Sequence, residues 1–83
     1  MNVSERMLKL GFLLSERLDN VYLDFAMDYV DRGENELALD TLLANLYEND
    51  VKITSEEFEE AVLLSEVFNV DKADLNHLKE LIE

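Results

Sequence analysis

The stretch GENELALDTLLANLYENDVKITSEEF, residues 33–58, reads as one helix, a break and the start of another. Leu39, Leu42, Leu43 and Leu46 recur three and four apart, which puts them on one helix face. Gly33 ahead of them suits the left-handed conformation that ends a preceding helix. Glu34 and Glu36 stand at the first turn of the new helix, where its dipole favours negative charge. The leucine period stops at Tyr47. A second pattern opens with Thr54 as N-cap and Glu57 at N3, the T-x-x-E capping box, with Ile53 and Phe58 placed as a hydrophobic staple. Val51 is expected to face the core from an extended connection of about four or five residues.

Working outward, the same signals extend almost end to end. Upstream, Asn2 with Glu5 three residues on predicts a helix start, followed by Met7, Leu8, Leu10, Phe12, Leu13 and Leu14. Gly11 weakens this helix, and SERLDN predicts a joint near Asp19. Leu18, Val21, Tyr22, Phe25 and Tyr29 then form an apolar stripe expected to face the core, opposite Asn20, Asp24, Asp28 and Asp31. Downstream, a helix over Ser55 to Phe68 is expected to bury Phe58, Ala61, Val62 and Val67. A last one, Lys72 to Ile82, is expected to contribute Leu75, Leu78 and Ile82, with Val70, Asp71, Asp74 and Leu75 repeating the cap-and-staple arrangement. Short connections between such helices predict an all-α fold: a compact bundle of four to five short helices in a single domain, residues 1–83.

Composition agrees. The chain is 48% hydrophobic and has no proline and two glycines, which favours helices around one core and argues against a disordered acidic tail. Twenty acids against seven bases give a net charge of −13. Such a field repels nucleic acid and anionic lipid, and steers a basic protein toward it. With no cysteine, disulfides, thiolate catalysis and cysteine-ligated metals are excluded. The N-terminus mixes acid and base, unlike a signal peptide, and no apolar run approaches the ~20 residues that span a bilayer. A soluble cytoplasmic protein is the expectation.

The chemistry of sites narrows the function. His77, the only histidine, has no glycine-rich turn or candidate nucleophile beside it and reads as a surface residue. The carboxylates are spread along helix faces instead of paired in a pocket. An EF-hand register with Gly33 at position 6 puts Val30 and Arg32 where oxygen ligands are required. An acyl carrier needs Asp-Ser-Leu at a helix start, and every serine here is followed by glutamate. No enzyme, cofactor, metal or small-molecule substrate is therefore expected, and no basic patch offers nucleic acid a site. A protein-binding module remains. Its candidate partner-binding residues are Asp24, Asp28 and Asp31 on one helix, Tyr47, Glu48 and Asp50 around the break, and Glu59 and Glu60 on the following helix. Like charges at helical spacing repel one another by a few tenths of a kcal/mol, and an aromatic beside acids is a common anchor. A solvated face, and a tyrosine that merely finishes the core, are the plain alternatives.

From Asp31 to Glu59, DRGENELALDTLLANLYENDVKITSEEFE, the chain resembles the MafI family of immunity proteins. A weaker likeness continues through EVFNVDKADLNHL, so about two-thirds of the chain is covered and residues 1–20 contribute almost nothing. Leu43 stands where the family often has cysteine, and Asn69 where it often has glycine. The matching positions form a helix–glycine–helix framework and carry no binding residue across. The resemblance implies a small cytoplasmic protein that binds a cognate secreted toxin in a one-to-one heterodimer and neutralises it. A basic nuclease such as an EndoU-like ribonuclease is the implied toxin. Colicin DNase immunity proteins share size, acidity and helical build, but their aspartate- and tyrosine-rich helix is not found. From a different class, a small acidic adaptor or regulatory subunit of a larger assembly also fits the composition.

Overall fold

Three of the helix starts are set by side chains lying close in sequence. The computed structural model describes residues 2–69 and 72–83, the side chains of 72–74 excepted. Among the described residues the fold is all-α, with five helices: α1 (Val3–Leu14), α2 (Asn20–Asp31), α3 (Asn35–Glu48), α4 (Ser55–Phe68) and α5 (Lys72–Lys79). Asn2 opens α1, its side-chain oxygen accepting from the Glu5 N–H at 2.8 Å. Asp19 opens α2 by accepting from the Val21 N–H at 2.8 Å. At α4 the capping box is complete: the Glu57 N–H donates to Thr54 Oγ1 at 3.1 Å, and the Thr54 N–H donates to Glu57 Oε1 at 2.8 Å. The expected second arrangement at Val70, Asp71 and Asp74 lies outside the described residues.

Helix ends follow the backbone rule. Gly33 sits at φ 77°. Its N–H reaches the Val30 carbonyl at 3.0 Å and the Glu34 N–H reaches that of Tyr29 at 2.8 Å, the paired bonds of a Schellman motif. After α3 the left-handed residue is Asp50, at φ 49°, and the Val51 N–H turns back to the Leu46 carbonyl at 3.1 Å. Asn69, at φ 56°, ends α4 in the same conformation.

The core is built around α3, which touches each of the other four helices. Ala38, Leu39, Leu42, Leu43 and Leu46 are buried, as their spacing predicts. Each leucine so enclosed contributes about 1.5–3 kcal/mol of burial. Met7, Leu10 and Leu14 meet them from α1, Ala26 and Val30 from α2, Ala61 and Leu64 from α4, and Leu78 from α5. The radius of gyration, 11.3 Å, is close to the ~12 Å expected for a compact chain of this length.

Three expectations are corrected. The stripe through α2 faces inward only in part: Leu18 is buried and Tyr29 half-buried, but Val21, Tyr22 and Phe25 are exposed, and Ala26 and Val30 take the interior instead. Apolar residues cover α2 except along the Asn20, Asp24, Asp28 and Asp31 face, so periodicity offers more than one inward side, and α3 takes the one bearing the small Ala26. On α4, Val67 is exposed and Phe58 and Val62 are only half-buried, while Leu64 and Ser65 take the interior. The last helix stops at Lys79, short of Ile82. Beyond it the chain turns and pairs with the α3–α4 connection. The Ile53 N–H donates to the Leu81 carbonyl at 3.1 Å, and the Glu83 N–H to the Ile53 carbonyl at 2.9 Å. This one-residue parallel bridge fixes Ile53, the expected staple residue, in the core.

A candidate protein-binding surface

Among the described residues α2 touches only α1 and α3, which leaves its outer side uncovered. Large apolar side chains stand there in the open. Val21 is 61% exposed and Phe25 58%, and on the adjoining α1 Phe12 is 79% exposed, with Leu8 also outward. Gly11 explains how the two helices meet. A Cβ at that position would lie 2.6 Å from Met27 Cε and 3.1 Å from its Sδ, so the missing side chain is what admits the Met27 thioether against α1.

Two grooves result. One, of about 300 Å³, is lined by Leu8, Gly11, Phe12, Ser15, Leu23 and Met27. The other, of about 500 Å³, is lined by Val21, Asp24, Phe25, Met27, Asp28 and Asp31. Met27 is a wall of both, so they form one strip, apolar on the α1 side and acidic along α2. Isolated apolar side chains on a surface are ordinary, whereas a joined set rimmed by polar residues marks an interaction site.

The eight predicted partner-binding residues lie in three places, and no groove unites them. Asp24, Asp28 and Asp31 are exposed on the strip, as expected, and Asp28 accepts from Arg32 Nη2 at 2.9 Å. Tyr47, Glu48 and Asp50 are at the end of α3. Tyr47 is half-buried and its ring stacks on that of His77, with centroids 4.5 Å apart and planes 10° from parallel. Asp50 forms the left-handed turn described above, which gives it a backbone role that its charge did not suggest. Glu59 is exposed on α4 beside Phe58, Val62 and Leu63, which line a groove of about 350 Å³. Glu60 is half-buried and accepts from Arg6 Nε at 2.8 Å.

Sequence reading missed Phe12, Val21 and Phe25 as surface residues, because an apolar residue at helical spacing is read as core. It also missed Arg17. The guanidinium donates from Nη1 to the Lys52 carbonyl at 3.0 Å and to Glu57 Oε1 at 2.8 Å, and from Nη2 to the Leu13 carbonyl at 2.9 Å and to Glu57 Oε2. Glu57 is only 6% exposed. Burial pushes its carboxyl upward, but the hydrogen bonds from Arg17 and the Thr54 amide, with the charge of Arg17, outweigh this and hold it below the ordinary carboxylate range. So the most deeply placed acid of SEEFEE joins α1 to the start of α4 and offers nothing to a partner.

Among the described residues no group of three or more His, Asp or Glu is placed to hold a metal ion, and no helix is long and apolar enough to cross a membrane. His77, exposed, is engaged with Tyr47. Comparison with known proteins returns no match: no family model, no curated protein and no solved structure matches the chain.

Proposed function

We propose that this chain is an immunity protein that acts by binding alone. It captures a basic toxin domain, a nuclease of the EndoU-like ribonuclease kind, in a one-to-one complex in the cytoplasm of the cell that makes both, and keeps it from its nucleic-acid substrate. The observation that carries this reading is the strip on α1 and α2: exposed phenylalanines and a row of aspartates on a chain of net charge −13. Aromatic side chains anchor protein interfaces, and complementary charge speeds and selects the encounter. The likeness of residues 31–59 to the MafI family supports the choice of toxin inhibition among functions that binding alone could serve. That stretch lies almost wholly in the scaffold, and the strip, apart from Asp31, precedes it.

The test is co-purification of the tagged chain with the product of the adjacent gene, washed at low and high salt. A stoichiometric complex with a basic, growth-inhibiting protein, and restored growth when both are expressed, is the expected result. Failure to bind the neighbour, with stable capture of a housekeeping assembly instead, would replace the immunity reading with that of an adaptor subunit.

A further inference from the structure

We infer that the strip on α1 and α2 receives a single amphipathic helix of the basic partner, with its apolar face over Phe12, Met27 and Phe25 and its cationic side chains against Asp24 and Asp31. This rests on the binding role proposed above and adds the place and the shape of what binds.

Charge selects the occupant. Two copies of a chain at net −13 repel each other, and the acidic rim repels anionic lipid just as strongly. A second copy and a membrane surface are thereby disfavoured against a basic protein. Asp24 and Asp31 have no ion-pair partner among the described residues, whereas Asp28 is already met by Arg32. Seven residues apart on α2, they lie about 10 Å from each other along the helix axis. Lysines or arginines seven apart on a second helix repeat that spacing.

Shape points the same way. Val21 to Asp31 spans about 15 Å at 1.5 Å per residue, three turns of a docked helix. The groove over Gly11 runs between α1 and α2, the arrangement in which a helix lays its apolar face into a groove, and the acidic groove continues from it along α2. Among the described residues the only β-type pairing is the Ile53–Ile82 bridge, remote in sequence from the strip, so an extended peptide finds no strand to add to here. Met27 suits the floor of such a trough, because an unbranched thioether repacks around whatever side chain arrives.

Two measurements test the inference. In the first, the isotope-labelled protein is titrated with an eighteen-residue peptide carrying leucine on one helical face and arginine on the other, and with a scrambled peptide of the same composition. Backbone shifts confined to Leu8–Ser15 and Val21–Asp31, produced by the ordered peptide alone, are expected. Shifts centred on α4 or on Tyr47 and Glu48, no shifts at all, or equal shifts from the scrambled peptide would overturn the inference. In the second, the adjacent gene's toxin domain is titrated calorimetrically against the wild-type chain, Phe12→Ser, Phe25→Ser, Asp24→Asn with Asp31→Asn, and Glu66→Gln, a substitution on the exposed side of α4. The strip variants should each lose about tenfold to hundredfold in affinity, with Glu66→Gln close to wild type and all variants melting normally. A toxin that binds wild type and strip variants alike sinks the strip while leaving the immunity reading standing. A toxin that does not bind wild type sinks that reading, and the peptide titration then decides the strip by itself.

Discussion

Two regions fed by α1 place their residues against the usual preference. At the corner where α1 leads into Arg17, a carboxylate is buried: Glu57 is 6% exposed yet meets two guanidinium nitrogens and a backbone amide. On the other side of α1, Phe12 and its α2 neighbour Phe25 are held in water, and none of the described residues covers them. The difference shows what decides burial here. A charge goes inside when both carboxylate oxygens find donors and a cation, which offsets its desolvation. An aromatic stays outside when no element of the chain reaches it, and the apolar contact it forgoes is then available to a partner.

Disturbing the corner should have the largest effect. Arg17→Ala strips Glu57 of its cation and the Leu13 and Lys52 carbonyls of their donor. Because Arg17 is itself partly exposed, the loss should be about 2–3 kcal/mol, below the full value for a wholly buried pair, and visible as a lower denaturation midpoint. A stability equal to wild type would mean that the corner holds nothing together.

Acid should undo the corner more gently. Since the folded carboxyl of Glu57 lies below its ordinary value of 4.5, its contribution is fully present above that pH and fades as pH falls through the depressed folded value. Relief of repulsion among the remaining acids works in the opposite direction, so the quantity to follow is the stability difference between wild type and Glu57→Gln. That difference should be steady at neutral pH and shrink below the ordinary carboxylate range. A difference that stays constant down to strong acid would contradict it.

A smaller effect, of opposite sign, is expected at the other end of α3. Asp50→Gly removes the penalty of a left-handed non-glycine residue, roughly 1 kcal/mol, against which the freer unfolded chain takes part back. A modest rise in melting temperature should follow, and a fall would show that the aspartate side chain serves the turn. Smallest of all should be the strip: Phe12→Ser changes stability by less than about 0.5 kcal/mol, because so little of the ring is buried. A loss comparable to that of Arg17→Ala would show that the ring packs into the fold and erase the contrast between the two regions.

What could be read in the sequence follows the range of each interaction. Asn2 with Glu5, Thr54 with Glu57, and Gly33 act within a few residues, so the helix boundaries they set were legible, α4 among them from Ser55 to Phe68. The leucines of α3 were legible because that helix is surrounded and its polar positions are clear. The inward side of α2 was not. Val21, Tyr22 and Phe25 satisfy helical spacing as well as Ala26 and Val30 do, and only the nearness of α3 favours the smaller residues. Arg17 reaching Glu57, and Leu81 meeting Ile53, join positions far apart in sequence, which no local pattern encodes. Of the predicted partner-binding residues, exposure was legible for Asp24, Asp28 and Asp31. Their apolar companions were hidden by looking like core.

Gly11 is the barest point in the lining of the strip and yet controls its form. Met27 rests on the bare glycine backbone and walls both grooves, so the two are not independent receptors. A side chain that pushes the thioether aside in one groove reshapes the other, so occupancy of one is coupled to occupancy of the other. The coupling runs through one flexible side chain. A methyl added at residue 11 would therefore change how the grooves communicate while leaving every exposed residue of the surface the same.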